Sequence, residues 1–323
     1  MRAVRFHEYG PPDVLRVDEV PDPRPGPGEL LIRVTAAGIG FADVQIRAGL
    51  MRDVLPDLPL PFAPGFEVAG DVVAVGPGVD PAAIGRRTVG ATAHGGYAEL
   101  AVLPEATALP LPASLDDPTA VALLGQGATA IGVVEAAGLG PADTVLVQAA
   151  AGGVGSLLVQ LARRAGATVI AAARGDRKRE LARQLGAHVV VDSGEPDWPR
   201  RAGEAAGASV TVVLEGTGGA VSQAAFDLLA PGVGRMVLYG TASGQPPRID
   251  PLAVYHRGLS VTGFASPALP ARRLTQLREQ ALALGSSGVL RPIIGSTLAL
   301  SQAAEAHRGA EGRTTVGKTV LLP

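Results

Sequence analysis

The stretch TVLVQAAAGGVGSLLVQLARRAGATVIAAA, residues 144–173, decides how this chain is read. Val145, Leu146 and Val147 form a short apolar run of the kind that makes a strand buried on both faces. Ala149–Gly155 follows at once as a glycine-rich turn. Leu157, Leu158, Leu161, Ala162 and Ala165 then recur at helical spacing up to Gly166, which suits the end of a helix. Thr168–Ala173 supplies a second apolar strand. Strand, glycine turn, helix and second strand together predict a βαβ unit that seats a pyrophosphate on the helix N-terminus. Gly152 would let the backbone approach that pyrophosphate and Gly155 would let the helix pack closely on the strand. Ala150 stands where the first glycine of the G-x-G-x-x-G pattern is usual, so a tight turn in some other α/β protein is the alternative.

The residues after the second strand bear on which dinucleotide fits. A chain that grips a free ribose 2′-hydroxyl places Asp or Glu about 20 residues after the glycines. Here that window holds Ala172, Ala173, Arg174 and Gly175, with Asp176, Arg177, Lys178 and Arg179 beyond. Guanidinium and ammonium groups suit a 2′-phosphate, so NADPH is the expected cofactor. The bland alternative is a solvated basic helix start, which the helix dipole makes uncomfortable.

The chain has 323 residues, enough for two domains, and is 47% hydrophobic and 18% charged with a formal net charge of −2. That balance predicts a soluble globular protein with neither the basic excess of a nucleic-acid binder nor a polybasic membrane tail. MRAVRFHEYG at the N-terminus lacks the apolar centre of a signal peptide, and no apolar run reaches a membrane span, so a cytoplasmic location is expected. Cysteine is absent, which excludes disulfides, thiolate nucleophiles and cysteine-ligated zinc.

Taken in order, residues 1–110 read as β-rich, with strands at Ala3–Phe6, Leu15–Val20, Glu29–Ala37, Val68–Val75, Arg87–Val89 and Tyr97–Leu103. Gly38–Pro64 is a long irregular loop, the kind of segment where sites lie. From Asp116 the period becomes helical, with Asp116 or Asp117 able to cap a helix that has Pro118 in its first turn, and Gly125-Gln126-Gly127 interrupts it. Strands then alternate with helices at Val145–Gln148, Val169–Ala173, Val189–Val191, Val210–Leu214, Arg235–Tyr239 and Ser260–Gly263. That alternation predicts an α/β doubly wound parallel sheet, whose strand ends offer Ser193, Glu215-Gly216-Thr217 and Tyr239-Gly240-Thr241 to a ligand. Arg291–Leu322 has strand character and is expected to return to the first domain.

Several motifs, in this order, carry a resemblance: Ala36–Ile39 with Asp43, Pro64–Gly70, Gly95–Glu99, Ala149–Gly155, Leu185–Ala187 and Gly317–Leu321. Over its whole length the chain resembles a zinc-independent medium-chain dehydrogenase/reductase of the quinone oxidoreductase (zeta-crystallin-like) branch. The resemblance implies a GroES-like β-rich catalytic domain from residues 1–118 and 266–323, a Rossmann domain over 119–265, and a homodimer. It places Thr129, Gly152, Gly153, Val154, Arg174, Lys178, Ser193, Gly216, Tyr239, Gly240, Phe264, Ala265 and Arg313 around NADPH. Zinc-dependent relatives carry Cys and His where this chain has Gly40 and Phe66, so no metal is expected. Quinone reductases of this type carry Asn and Tyr where it has Gly40 and Gln45.

The expected activity is hydride transfer from NADPH to a small quinone or α,β-unsaturated carbonyl. Alternatives are an enoyl-thioester reductase and a low-turnover cofactor-binding protein. Asp43 and Gln45 are the catalytic candidates, although an acidic residue placed like Asp43 is more often a helix cap. Glu67 reads as partner to a buried arginine, His94 as a loop residue and Tyr97 as strand packing. The acceptor is expected in a cleft between the domains lined by Phe41, Gln45, Met51, Arg52 and Phe264. Edge strands near Arg235–Tyr239 and Ser260–Gly263 are expected to join the dimer.

Overall fold

A computed structural model describes residues 1–207 and 210–323. The chain forms two compact units, Met1–Gly125 with Arg278–Pro323 and Gln126–Leu277. In the first unit β1 (Arg2–Phe6) pairs antiparallel with β2 (Leu15–Glu19). Then come β3 (Glu29–Gly38), α1 (Phe41–Arg47), β4 (Glu67–Val75), β5 (Arg87–Ala91), β6 (Leu100–Pro104), β7 (Ala108–Pro110) and α2 (Asp117–Ala122). The second unit runs through α3 (Ala128–Ala137), β8 (Thr144–Val147), α4 (Gly153–Arg164), β9 (Thr168–Ala173), α5 (Asp176–Gln184) and β10 (Val189–Asp192). It continues with α6 (Trp198–Ala205), β11 (Val212–Glu215), α7 (Gly219–Asp227), β12 (Arg235–Leu238), α8 (Pro251–Arg257) and β13 (Ser260–Gly263). The helix α9 (Ala271–Ser286) leads back to the first unit, which ends with β14 (Ile294–Ala299), α10 (Ala303–Glu311) and β15 (Lys318–Leu322).

The large sheet of the first unit has the order β14-β15-β3-β4-β5-β7, with β6 also on β3. Its centre is β3, where alternate residues from Leu30 to Ala36 are buried, the period-2 pattern of a strand with one face on a core. The β3–β4 ladder shifts register between Val34 and Ala36. Gly70 faces that irregularity, where a Cβ would lie 1.9 Å from Arg33 O. Only glycine lets the two backbones come so close. Phe6, Ile32, Val68, Tyr97, Leu103 and Leu321 are core residues of this unit.

Tyr97 begins no strand, contrary to expectation. Its amide donates to Pro64 O at 3.1 Å and Gly95-Gly96 folds against Ala63 and Gly65, so the ladder starts only at Leu100. The apolar segment Ala120–Leu124 packs in the first unit with α2 against β3 and β4, which is why that unit extends to Gly125. The helical run Asp117–Ala137 is apolar and long enough to cross a membrane, but 67% of its most apolar window is buried inside the protein. Its character is that of a core helix.

The second unit is a six-stranded parallel sheet in the order β10-β9-β8-β11-β12-β13. Val145–Val147, Val169–Ala172 and Val212–Leu214 are fully buried, as strands covered on both faces must be. The order reverses beside β8, so the ends of β8 and β11 flank the crevice where such sheets take ligands.

Candidate functional site

The turn after β8 is shaped by its glycines and one strained alanine. Ala149 has φ +47°, and its carbonyl accepts from the Gly152 amide at 2.8 Å. At Gly155 a Cβ would fall 2.2 Å from Ala149 O, so only glycine lets α4 start this close to the turn. At Gly152 the nearest atom to an added Cβ would be 3.2 Å away, so the fold tolerates more there than at Gly155. Gly152 is also the N-cap of α4, which has neither a side-chain cap nor an acidic residue in its first turn. Amides without a cap beside a bare Cα fit a pyrophosphate. At Gly153 a Cβ would collide with the carboxamide of Gln126, so this glycine makes room for a side chain that sequence reading passed over.

Arg174 follows β9 directly, is exposed, and makes no ion pair or hydrogen bond among the described residues. Its side chain lies against Gly194, where a Cβ would be 3.1 Å from Arg174 Cγ. Arg179 is employed otherwise, pairing with Asp176 and, at 3.4 Å, with Asp192. Asp192 is the missed residue here. It ends β10 and accepts from the amides of Gly194 at 2.9 Å and Gly175 at 3.3 Å, which ties the two strand ends together. Ser193 donates its amide to Ala173 O, beside Arg174, and Lys178 is half-buried in the first turn of α5. An exposed, unpartnered guanidinium in place of the usual carboxylate fits a 2′-phosphate.

At the other end of the crevice, the Tyr239 ring covers Gly216, where a Cβ would lie 2.4 Å from Tyr239 Cε2, and Gly240 adjoins Gly216 O. Thr129 Oγ1 lies 3.0 Å from Ser266 Oγ, just past Ala265. The Phe264 ring edge fills a slot opened by Gly132 on α3, so much of that ring is spent on packing rather than on lining a pocket. Arg313 lies in the first unit with φ +53°.

In the first unit Asp43 is 1% exposed, and both its oxygens are committed. Oδ2 accepts from the Gly40 amide at 2.8 Å and Oδ1 from the Gly65 amide at 2.9 Å, so Asp43 caps α1 and fastens the loop before β4. Burial raises its carboxyl to about 6, against the pull of the two amides and of Lys318. Phe41 and Gln45 are one helical turn apart on the less buried side of α1. Met51 packs on the core and Arg52 stacks 5.3 Å over the Tyr9 ring, so neither is as free for an acceptor as expected. The zinc positions have other work: Gly40 is the N-cap of α1, and Phe66 packs on the core.

The partner of Glu67 is a lysine, not an arginine as expected. Lys318 Nζ donates to Glu67 Oε2 at 2.5 Å, and Lys318 is 1% exposed. Gly38 and Gly125 leave the space that this pair fills. Gly125-Gln126-Gly127 does not interrupt the helix as expected but lies in a π-helical turn, Leu123–Gly127, that carries α2 into α3. His307 is also buried, its ring edge-on to Tyr97 at 5.9 Å. Burial and the neighbouring Arg47 depress it to about 3. His94 is a loop residue whose ring packs on Phe62. Among the described residues no group of three or more His, Cys, Asp or Glu side chains is placed to hold a metal ion.

A β-rich unit built from both chain ends and a parallel nucleotide-binding sheet are the two parts of a two-domain dehydrogenase. Comparison with known proteins agrees. The profile of the alcohol dehydrogenase GroES-like domain matches residues 26–113, and that of zinc-binding dehydrogenase matches residues 153–284. The chain is 34% identical to the 2-haloacrylate reductase of a Burkholderia species, over 99% of this chain and 98% of that one. It is equally 34% identical to a quinone oxidoreductase of Pseudomonas aeruginosa, over 100% and 99%. The crystal structure of Escherichia coli quinone oxidoreductase complexed with NADPH superposes with a TM-score of 0.91 at 30% identity, covering all of both chains. The chain belongs to the medium-chain dehydrogenase/reductase family, in its quinone oxidoreductase branch.

Proposed function

We propose that the protein is an NADPH-dependent reductase that delivers hydride to a quinone or an α,β-unsaturated carbonyl compound. The observation that carries the cofactor choice is Arg174, exposed and unpartnered where an NAD-binding chain would place a carboxylate. NADPH would be held by the α4 N-terminus at Gly152, Gly153 and Val154, by Arg174, Lys178 and Ser193 at the adenosine phosphate, and by Gly216, Tyr239 and Gly240 toward the nicotinamide. Thr129, Phe264, Ala265 and Arg313 complete the proposed set. When bound, the dihydronicotinamide supplies the hydride. The protein's own part is to align the acceptor and hold it dry.

The relatives named above are a 2-haloacrylate reductase and a quinone oxidoreductase, and a 2-haloacrylate is an α,β-unsaturated acid. An acceptor of that kind needs no Lewis acid, consistent with Gly40 and Phe66 at the positions where zinc-dependent relatives carry ligands. Phe41 and Gln45 are the proposed acceptor contacts, with Asp43 fixing the helix that carries them. NADPH oxidation followed against quinones, enones, 2-haloacrylates and enoyl thioesters, before and after exhaustive chelation, tests the reading. Turnover of enoyl thioesters alone would replace it with the thioester-reductase alternative. No turnover with intact NADPH binding would favour a binding protein.

A cytoplasmic homodimer is proposed as well, on a narrower footing than the sequence suggested. Arg235–Leu238 is paired on both sides, by β11 and β13, so of these two strands it is β13 that lies at a sheet edge. That strand, Ser-Val-Thr-Gly, is less apolar than expected, but Tyr255 and Leu252 on the adjoining α8 are 76% and 62% exposed. Pairing β13 with its symmetry mate would cover the edge. Light scattering is expected to give about twice the 32.6 kDa chain mass. A Val261→Lys substitution is expected to lower it.

A further inference from the structure

Glu215, the last residue of β11, carries a carboxyl group that the reading above leaves unused. It is fully buried. Its Oε1 accepts from the amide of Gly218 at 2.6 Å and from that of Thr217. Its Oε2 has no hydrogen-bond partner, and three more buried atoms around the same turn share that condition: Gln148 Oε1, Thr217 Oγ1 and Ser222 Oγ. Gln148 is tied to this place, since its amide donates to Leu214 O at 3.1 Å and its Nε2 to Val221 O at 3.3 Å. Buried polar atoms almost always find partners, so four around one turn mark a polar pocket within the core. It adjoins the nucleotide crevice, because Gln148 runs straight into the Ala149–Gly155 turn and Glu215 into Gly216 under the Tyr239 ring.

Gln148 Oε1 and an ionised Glu215 Oε2 are both acceptors, so neither can satisfy the other. The Thr217 and Ser222 hydroxyls are donors of this cluster, and a proton on Oε2 adds a further one. Burial pushes the carboxyl the same way, to about 7, against the opposing pull of the two amides. The titratable group facing it is Tyr239, itself held protonated by burial and by Glu215. The charged residues of the flanking elements are engaged elsewhere, Arg235 of β12 with Asp143 at 2.8 Å and Asp227 of α7 with Gln223 at 3.0 Å. A pyrophosphate at the α4 N-terminus would bring negative charge beside this pocket, and an ionised carboxylate in a low dielectric would repel it.

We propose that Glu215 is a positioning residue of the nucleotide site that is protonated in the bound state, so that cofactor binding takes up a proton. The inference rests on the NADPH reading of the site. The neutral form keeps both Oε1 bonds that fix the Gly216–Gly218 turn and adds a donor from Oε2. Affinity is then full while the group is protonated and is lost as pH rises through about 7.

The test is fluorescence titration of the intact protein with NADPH and NADH between about pH 6 and about pH 8.5, with calorimetry in two buffers of different ionisation enthalpy. Both dissociation constants are expected to weaken by about tenfold over that range, with net proton uptake near the midpoint. A slope shared by NADH cannot come from the 2′-phosphate. Glu215→Gln, which stays neutral, is expected to flatten the NADH profile and abolish the uptake. An unchanged slope in that variant, or no proton uptake by the wild type, overturns the inference. Should the variant fail to fold, the infrared difference spectrum of wild-type protein on adding NADPH decides it. A gain in the protonated-carboxyl band supports the proposal, and its absence overturns it. Failure of both nucleotides to bind at every pH would sink the NADPH reading and the inference with it, whereas binding without proton uptake sinks the inference alone.

Discussion

Arg174 and His307 show how differently a polar side chain behaves at a strand end and in a core. Among the described residues Arg174 has no ion-pair or hydrogen-bond partner to lose, so Arg174→Ala is expected to leave the fold intact. A charge-assisted contact to a 2′-phosphate lost in that variant corresponds to at least about tenfold weaker NADPH binding, with NADH nearly unaffected. Equal losses for both nucleotides in parallel titrations would remove Arg174 from the 2′-phosphate site. His307 is fully buried and neutral, its value depressed to about 3 from 6.5. The unfolded chain therefore binds a proton here that the folded chain refuses. The stability His307 contributes is complete above about pH 6.5 and is lost progressively as pH falls toward about 3. His307→Phe keeps a ring edge-on to Tyr97 and carries no titratable group. Urea unfolding across the acid range should show a shallower decline for the variant than for the wild type, and parallel profiles would refute the assignment.

At the scale of the element, α4 and its turn separate two jobs that glycine does. Gly155→Ala would drive a Cβ to 2.2 Å from Ala149 O and should destabilise the protein by about 1–3 kcal/mol. Gly152→Ala meets nothing closer than 3.2 Å, so thermal unfolding should barely move while NADPH affinity drops. The reverse pattern would mean that Gly152 serves the fold and not the nucleotide. This βαβ unit was legible in the sequence because each of its signals is local: apolar runs, glycines and helical spacing all lie within residues 144–173. The limits of most other strands were legible to within a few residues for the same reason, but β7 was not foreseen and β14 and β15 were read only as strand character within Arg291–Leu322. What escaped was set by neighbours distant in sequence. Gly153 looked like one more phosphate-loop glycine, yet it makes way for Gln126, and Asp192, one residue past the expected strand Val189–Val191, ties two strand ends together. Tyr97 read as the start of a strand until Gly95-Gly96 folded back on Ala63 and Gly65.

For the whole molecule, the order of motifs gave the fold class and the family, whereas the partners of buried charges depended on how the chain ends meet. Glu67 and Lys318 are 251 residues apart and Arg47 and Glu311 are 264 apart, so no spacing rule could pair them. These pairs, with Asp43 on the Gly40 and Gly65 amides, fix the frame from which α1 presents Phe41 and Gln45. On the proposed reading, acceptor choice rests on these side chains and should change without disturbing the nucleotide site. At Gly40 the backbone is extended, with φ −95°, so a side chain is allowed. An added Cβ would lie 3.1 Å from Asp43 Oδ2, which a small local shift relieves. Gln45 is half-buried, with room on the outer side of the helix. Gly40→Asn and Gln45→Tyr should each change the ratio of kcat/KM between quinones and 2-haloacrylates by about threefold to tenfold, as a pocket altered by one side chain does. The dissociation constant for NADPH should stay within about twofold of wild type, the proposed nucleotide contacts being on other residues. If both variants leave every acceptor's kcat/KM unchanged while NADPH binding is intact, the acceptor does not bind against α1. The segment from Ile39 to Pro64, which α1 makes less irregular than expected, would then be a structural strap and not the wall of the site.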